Sequence, residues 1–138
     1  ADYIKYTNDY SILDIETNYK KGKLLEEGTD ECYDLYEDSD KKGSIYEHCI
    51  KAIEKSLNFG ENDLPKIGSG DWNDGFSTVG NKGKGESVWL GFFMYTVLRD
   101  FIPICEKKGD LEKVEKYNRN YAKIKKGFKY KWMGWKMV

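Results

Sequence analysis

The segment from Leu64 to Gly91, LPKIGSGDWNDGFSTVGNKGKGESVWLG, carries the side chains best suited to chemistry. At its centre, four such residues follow one another between glycines: Asp71, Trp72, Asn73 and Asp74. An indole face stacks on a pyranose ring, and carboxylate and amide groups hydrogen-bond its hydroxyls. A carboxylic acid can also protonate a departing glycosidic oxygen. These residue types predict a carbohydrate site in a loop between helices, where function is commonly located.

Two other interpretations of the DWNDG residues were weighed. Asn, Asp and Gly are common turn formers, so the motif could be a tight turn between helices. A calcium loop beginning at Asp71 would need acidic or amide groups at its third and fifth positions and a glutamate at its twelfth. Asn73 fits this pattern, but Gly75 and Lys82 do not. No metal site is therefore predicted.

Three helices are predicted around this segment. The first, Ser44–Leu57, begins with Ser44 and Glu47 in capping-box spacing and has one apolar face. The second, Glu86–Cys105, is apolar on every side, so other elements are expected to surround it, and Pro103 is expected to kink or end it. The third, Leu111–Lys126, has a predicted buried stripe of Leu111, Val114, Tyr117, Tyr121 and Ile124.

The first 43 residues are predicted to be irregular. Ala1–Tyr6 would be the end of a helix, Tyr10–Asp14 a short extended segment, and Glu26–Asp38 part of a polar, acidic loop. No convincing β alternation is present, so the predicted fold class is all-α, with about three main helices and long loops. Glu86 would either cap the second helix or face the site, and the sequence does not choose between these roles.

Composition narrows the class of protein. The chain of 138 residues has a formal net charge of -1, so no global positive field would attract nucleic acid. Cys32, Cys49 and Cys105 are odd in number and form no CxxC pair, which favours free thiols in a reducing compartment. No membrane span and no leader pattern is predicted. A cytoplasmic protein is expected, with the lone histidine, His48, in a structural role.

The motif LPKIGSGDWNDG followed by GKGESVWLGFF resembles glycoside hydrolase family 94, which comprises inverting phosphorylases and the phosphorylase-like domain of cyclic β-1,2-glucan synthases. The resemblance extends from about residue 3 to residue 125. It implies that residues 1–138 form a single unit within a larger (α/α)6 barrel. It also implies that Asp74 is the general acid and that Trp72 lines the sugar subsite. It gives no firm role to Asp71 and Asn73, which are candidate substrate-binding residues that shape the loop or support the residues in contact with the sugar. The implied partners are a β-linked glucoside or sugar 1-phosphate, with inorganic phosphate as co-substrate and no cofactor.

The sequence also departs from the family pattern. Lys66 replaces a usually apolar residue, Phe76-Ser77 replaces Met-Asn, and Met133 stands where an aspartate is expected. No candidate phosphate clamp is found, and the two arginines fall on predicted helices. We therefore expect a catalytic-domain fragment with little activity alone.

Three alternatives to a catalytic fragment stay open. The first is a non-catalytic carbohydrate-binding module, and the second is a self-associating helical module. Exposed apolar surface would favour homo-oligomers of such a module. The third is an interaction module whose lysine- and aromatic-rich tail, residues 127–138, binds a membrane or nucleic acid.

Overall fold

A computed structural model describes residues 1–23, 32–68 and 77–132, with side chains described for 1–23, 32–68 and 79–128. Most elements in this part of the chain are helices, and the described residues also form one two-stranded antiparallel sheet. In chain order the elements are α1 (Asp2–Thr7), a 3-10 turn (Ser11–Asp14), β1 (Glu16–Lys21), β2 (Glu37–Ser44), α2 (Ile45–Ser56), α3 (Ser77–Gly80), α4 (Val88–Lys108) and α5 (Leu111–Trp132).

Helix α2 begins where the sequence predicts. The Ser44 side chain accepts a hydrogen bond from the Glu47 backbone N–H, and the Glu47 carboxylate accepts one from the Ser44 N–H. This reciprocal pair satisfies two backbone donors that the first turn of a helix would otherwise leave free. The helix predicted at Ala1–Tyr6 is present as α1, which ends at Thr7, and Asn8 follows it with a left-handed φ of 55°. The Ser11–Asp14 segment, which was predicted to be extended, instead forms the 3-10 turn.

Helices α4 and α5 form an antiparallel hairpin around Gly109. The α4 helix does not end at Pro103 but continues to Lys108, so that part of the prediction is wrong. Pro103 and Arg99 are both exposed. The proline has no N–H, so it cannot make the hydrogen bond that the Arg99 carbonyl would otherwise accept within the helix. Gly109, at φ 73°, ends the helix in the left-handed conformation that glycine adopts without steric cost.

The core lies where α2 packs against the α4–α5 hairpin, with α1 and the 3-10 turn closing one side. Its buried members include Ile4, Leu13, Tyr46, Ile50, Ile53, Met94, Leu98, Phe101, Ile102, Ile104, Cys105, Tyr117 and Ile124. The predicted stripe of α5 is partly confirmed, since Tyr117 and Ile124 are fully buried and Val114 and Tyr121 pack against the core. Leu111 is 73% exposed because it precedes the turns that meet the core, so its predicted burial is wrong.

The β1–β2 hairpin was not predicted. Its strands pair Glu16 with Ser44 at one end and Lys21 with Glu37 at the other, with an irregularity between. Residues 37 and 38 of the predicted acidic loop lie in β2, whereas residues 24–31 are outside the described residues. Most residues of both strands are exposed, and more than half of them are charged. The ladder therefore rests on backbone hydrogen bonds and cross-strand ion pairs, and no apolar alternation marks it in the sequence.

His48 joins this hairpin to α2. Its ring stacks on Tyr19 with centroids 4.0 Å apart, and its Nε2 lies 3.2 Å from the Thr17 carbonyl oxygen. On the opposite face of the same tyrosine, the ammonium of Lys51 lies 3.7 Å from the ring centroid. These contacts fit the structural role predicted for this histidine.

Helix α4 is not surrounded on all sides by the described residues, contrary to the prediction. Its first two turns expose Val88, Trp89, Phe92 and Phe93, which we call the aromatic face. By length and composition α4 could cross a membrane, contrary to the sequence-based expectation of no membrane span, and 39% of its most apolar window is buried. The core helix of a soluble protein passes the same test, so this feature alone does not assign α4 to a membrane. The structure confirms a mostly helical fold with a small sheet; the (α/α)6 barrel stays a prediction.

Candidate functional site

The predicted site residues Asp71, Trp72, Asn73 and Asp74 all lie outside the described residues. The structure describes the two segments that flank them, residues 58–68 on one side and 77–87 on the other. These flanks form a backbone frame between the end of α2 and the start of α4. This frame contains the two points at which the DWNDG segment is attached to the rest of the described protein.

The first part of the frame is a tight turn after α2. Phe59 and Pro65 face each other in an antiparallel bridge, and the Gly60 N–H donates to the Leu64 carbonyl at 2.9 Å. Leu64 is 4% exposed, so the turn is anchored in the protein interior. Asp63 adopts a φ of 61°, which Asp tolerates better than most residues.

The second part is a short two-stranded pairing that joins the two flanks. Lys66 and Glu86 are antiparallel partners. On either side of them, the Ile67 N–H donates to the Gly85 carbonyl and the Ser87 N–H donates to the Pro65 carbonyl, both at 2.9 Å. Because these bonds join residues about twenty positions apart, they hold the segment that contains the DWNDG residues as a closed loop.

Two glycines allow the ends of this loop to approach each other. A Cβ atom placed on Gly80 would lie 1.8 Å from the Gly68 carbonyl oxygen, a distance that no side chain could occupy. Gly68 itself has a φ of 74°, in the left-handed region where glycine is not penalised. Glycine is therefore required at position 80 because two backbone segments approach closely there. At position 68 it is favoured because the backbone is in a left-handed conformation.

The structure decides the role of Glu86 that the sequence left open. Ser87 is the N-cap of α4, since its hydroxyl accepts a hydrogen bond from the Leu90 N–H at 3.1 Å. The Glu86 side chain instead turns back over Gly60. There its Oε1 accepts hydrogen bonds from the Asn62 backbone N–H at 3.0 Å and from Asn62 Nδ2 at 3.2 Å. Glu86 therefore does not cap the helix but binds the turn after α2.

Helix α5 supports the same turn from behind. Lys123 lies 3.3 Å from an Asp63 carboxylate oxygen, and its ammonium is 4.7 Å from the centroid of the Phe59 ring. A Cβ atom on Gly127 would lie 3.0 Å from the Asn62 carbonyl oxygen, so glycine permits this close packing. Sequence reasoning missed both Asn62 and Lys123, because nothing local to either residue indicates a partner far along the chain.

Within the described residues, no candidate phosphate clamp involves an arginine. The Arg99 side chain is bonded to the Asp100 carboxylate next to it at 2.7 Å, and Arg119 forms an ion pair with Glu115 one turn earlier on α5. Each guanidinium is thus engaged by a carboxylate of its own helix. The described residues also contain no group of three or more His, Cys, Asp or Glu side chains placed to hold a metal ion.

Comparison with known proteins gives this frame a context. A family model described as the glycosyl hydrolase 94 superfamily, catalytic domain, matches residues 1–138. The chain belongs to the glycosyl hydrolase 94 superfamily. The resemblance predicted from the DWNDG segment is therefore confirmed at the level of the family.

Relatives in this superfamily include a synthase and several phosphorylases. Cyclic beta-(1,2)-glucan synthase NdvB of Rhizobium meliloti (strain 1021) is 36% identical over 126 residues, which is 91% of this chain and 4% of that protein. Solabiose phosphorylase of Paenibacillus borealis is 33% identical over 99 residues, 71% of this chain and 10% of that protein. 3-O-beta-D-glucopyranosyl-beta-D-glucuronide phosphorylase of the same organism is 33% identical over 84 residues, 60% of this chain and 11% of that protein. The chain thus spans a small part of the length of each relative.

Proposed function

We propose that this chain is the acid-bearing part of a glycosyl hydrolase 94 catalytic domain, of a phosphorylase or of a cyclic β-1,2-glucan synthase, that transfers a glycosyl group from a β-linked glucoside to phosphate. The observation that carries the proposal is the family match over residues 1–138, which includes the DWNDG segment. Similarity to proteins named as phosphorylases supports phosphate as the glycosyl acceptor. The chain covers a small fraction of each relative, so the activity belongs to a larger assembly of polypeptide.

In the proposed reaction Asp74 protonates the departing glycosidic oxygen while a phosphate oxygen attacks the anomeric carbon from the opposite face. The C–O bond to the leaving sugar breaks, a C–O bond to phosphate forms, and the product is a sugar 1-phosphate of inverted configuration. Trp72 lines the subsite of the sugar whose bond is broken, and Asp71 and Asn73 shape the loop. The frame supports this assignment by holding both ends of the loop.

The phosphate-binding half of the site is proposed to come from polypeptide outside residues 1–138. The two arginines are engaged by neighbouring carboxylates, as described above. We therefore expect the isolated chain to have little or no activity, with phosphate as a co-substrate and no cofactor. A cytoplasmic location, without nucleic-acid or membrane partners, is part of the same proposal.

A chimeric enzyme tests the proposal. The matched segment of solabiose phosphorylase would be replaced by this chain, and release of sugar 1-phosphate from its glucoside would be measured. We expect phosphorolysis that Asp74→Asn lowers by at least about 10²-fold, the lower end of the contribution that general acid–base catalysis makes. Asp40→Asn, which neutralises an exposed aspartate of β2, is the matched control and should leave the rate unchanged.

Two results would contradict this function. The first is a folded chimera that is inactive with Asp74 intact, and the second is a chimera whose rate is the same with Asn at position 74. If the chimera does not fold, calorimetric titration of the isolated chain with β-linked gluco-oligosaccharides replaces it. Binding that is lost in Trp72→Ala but kept in Asp40→Asn would support the sugar subsite, and the absence of binding would oppose it.

A second candidate function is a non-catalytic module that binds carbohydrate or a second copy of itself. The aromatic face of α4 favours it, because Trp89 and Phe93 stack with centroids 6.1 Å apart and are 48% and 59% exposed. Aromatic rings in this arrangement can stack on a sugar or pack against protein. Sugar binding by the isolated chain that is insensitive to Trp72→Ala but lost on replacing Phe93 would favour this alternative.

A further inference from the structure

Glu86 has a hydrogen-bonding arrangement unlike that of an ordinary surface glutamate. Its Oε1 accepts two hydrogen bonds from Asn62, whereas its Oε2 is buried without any hydrogen-bond partner. The side chain lies directly over Gly60, where a Cβ atom would come within 2.1 Å of Oε1. The carboxylate is thus enclosed at the point where the turn after α2 meets the frame.

The link to Asn62 rests on one of the two carboxylate oxygens. Both hydrogen bonds from Asn62 go to Oε1, an acceptor that an amide side chain would also supply. Oε2 has no hydrogen-bond partner in the described protein, so the link can be removed without breaking another hydrogen bond of this side chain.

The location of Glu86 indicates which function is concerned. Its backbone is paired with Lys66 in the middle of the frame, and the donors on either side belong to Ile67 and Ser87. Its side chain reaches the turn that Lys123 of α5 holds through Asp63. Glu86 therefore connects the flanks of the DWNDG segment to the rigid helices behind them.

We propose that Glu86 is a positioning residue that holds together the two flanks of the DWNDG segment, at residues 66–68 and 80–87, by tying the frame to the turn at Asn62. It acts through the frame and does not itself contact a reacting atom. Loss of the Glu86–Asn62 link would let the Lys66–Glu86 pairing open and the ends of the loop move. This inference rests on the proposed function in one respect. If the DWNDG segment binds carbohydrate, that binding weakens when the ends of the loop move.

Hydrogen exchange of individual amides in the full chain tests the link. In Glu86→Ala, we expect exchange of the Ile67 and Ser87 amides to accelerate about tenfold, as loss of a typical hydrogen-bonded contact predicts. The amides of Ile50 and Ile53 in α2 should be unchanged. Glu61→Ala, an exposed glutamate of the same turn, is the matched control and should alter none of these amides.

A reciprocal exchange separates positioning from a general loss of packing. Asn62→Asp places two carboxylates against each other and should accelerate exchange of the Ile67 and Ser87 amides as Glu86→Ala does. Adding Glu86→Gln to Asn62→Asp restores one donor and one acceptor, so both amides should return to within about threefold of the wild-type rate. This pair also carries the test if Glu86→Ala does not fold.

The proposal is overturned if exchange at Ile67 and Ser87 is unchanged in both single variants. It is also overturned if the α2 amides accelerate in parallel, or if the reciprocal pair shows no rescue. Titration with gluco-oligosaccharides is a separate experiment, which tests the proposed function. If the wild-type chain binds no sugar, the proposed function loses support, while the exchange data still decide whether Glu86 positions the loop.

Discussion

Asp100 connects two helices through its carboxylate. Lys5 of α1 donates to one oxygen at 2.6 Å, and Arg99, its neighbour on α4, donates to the other at 2.7 Å. The hydrogen bonds from Arg99 and from Lys5 lower the pKa of Asp100 to about 2. The ionised carboxylate is therefore stabilised by folding, and its ion pair with Lys5 adds to the packing of Ile4 that places α1 in the core.

This pKa gives a pH dependence whose sign is fixed. The pKa of an aspartate in an unfolded chain is about 3.9, so the contribution of Asp100 is complete above about pH 4 and is lost as the pH falls towards 2. We expect Asp100→Asn to lower the free energy of unfolding by about 1 kcal/mol at pH 7, since its partners are half exposed. Urea denaturation at pH 7 and at pH 2 measures the difference.

Asp2 provides the control for this prediction. It lies 3.8 Å from the same Lys5 but is largely exposed, so Asp2→Asn should change stability by less than about 0.5 kcal/mol. A stability difference between wild type and Asp100→Asn that is as large at pH 2 as at pH 7 would contradict the electrostatic explanation.

At the scale of elements, α2 depends on its first turn. The Ser44–Glu47 capping box lies directly between β2 and the helix, so it fixes the point at which the extended chain turns into α2. The far end of α2 is tied to α5, because Glu54 accepts from Lys116 at 2.8 Å and lies 3.1 Å from Lys113. These hydrogen bonds from Lys116 and Lys113 also lower the pKa of Glu54.

Removal of the cap should cost a measurable part of the stability. We expect Ser44→Ala to lower the free energy of unfolding by about 1 kcal/mol, because the Glu47 N–H loses its acceptor. Ser56→Ala is the matched control at the other end of α2, where the hydroxyl bonds the Ala52 carbonyl of the same helix. Its effect should stay within about 0.5 kcal/mol, as for most surface changes. Equal losses in the two variants by chemical denaturation would refute the capping contribution.

An element could be predicted from the sequence when the residues that determine it lie close together in the chain. The start of α2 was predictable because Ser44 and Glu47 satisfy each other within one turn. The β1–β2 hairpin was not, because its strands are charged on both faces and their partners are separated by the loop. The Glu86–Asn62 contact was equally inaccessible, since its two residues are 24 positions apart and only the folded chain brings them together.

At the scale of the site, the order of the DWNDG residues gave the family and a candidate chemistry. The family match confirms the first. The roles of Asp71, Trp72, Asn73 and Asp74 stay predictions, because these residues lie outside the described part of the chain. The structure adds the frame to which these residues are attached. The hydrogen bonds that close the frame join backbone atoms, so no pattern of side chains in the sequence indicates them.

For the whole molecule, the aromatic face of α4 is the feature that calls for a partner. The exposed side chains in the first two turns of α4 are apolar. Farther along the same helix, the exposed side chains include the charged residues Arg99, Glu106 and Lys107. Large apolar patches on a soluble surface seldom stay uncovered. In the proposed assembly the rest of the catalytic domain would cover this face, and in its absence a second copy of the chain can do so.

We therefore expect the isolated chain to self-associate. Sedimentation equilibrium should give an average mass above that of the monomer, and Phe93→Glu should shift it towards the monomer because the charge would be buried in the contact. Leu111→Glu, an equally drastic change at an exposed leucine of α5, should leave the mass unchanged. A monomer in the wild-type chain, or dissociation by both substitutions alike, would count against this surface.

The contact between Gly68 and Gly80 has a consequence for how such proteins diverge. Backbone bonds between residues 65–67 and 85–87 close the frame, and they join main-chain atoms only, so substitution of the side chains at these positions leaves the donors and acceptors in place. Position 80 is different, because any side chain there would place a Cβ atom 1.8 Å from the Gly68 carbonyl oxygen and force the two flanks apart. A mutation of this single glycine is therefore expected to be less tolerated than most mutations in the paired segments.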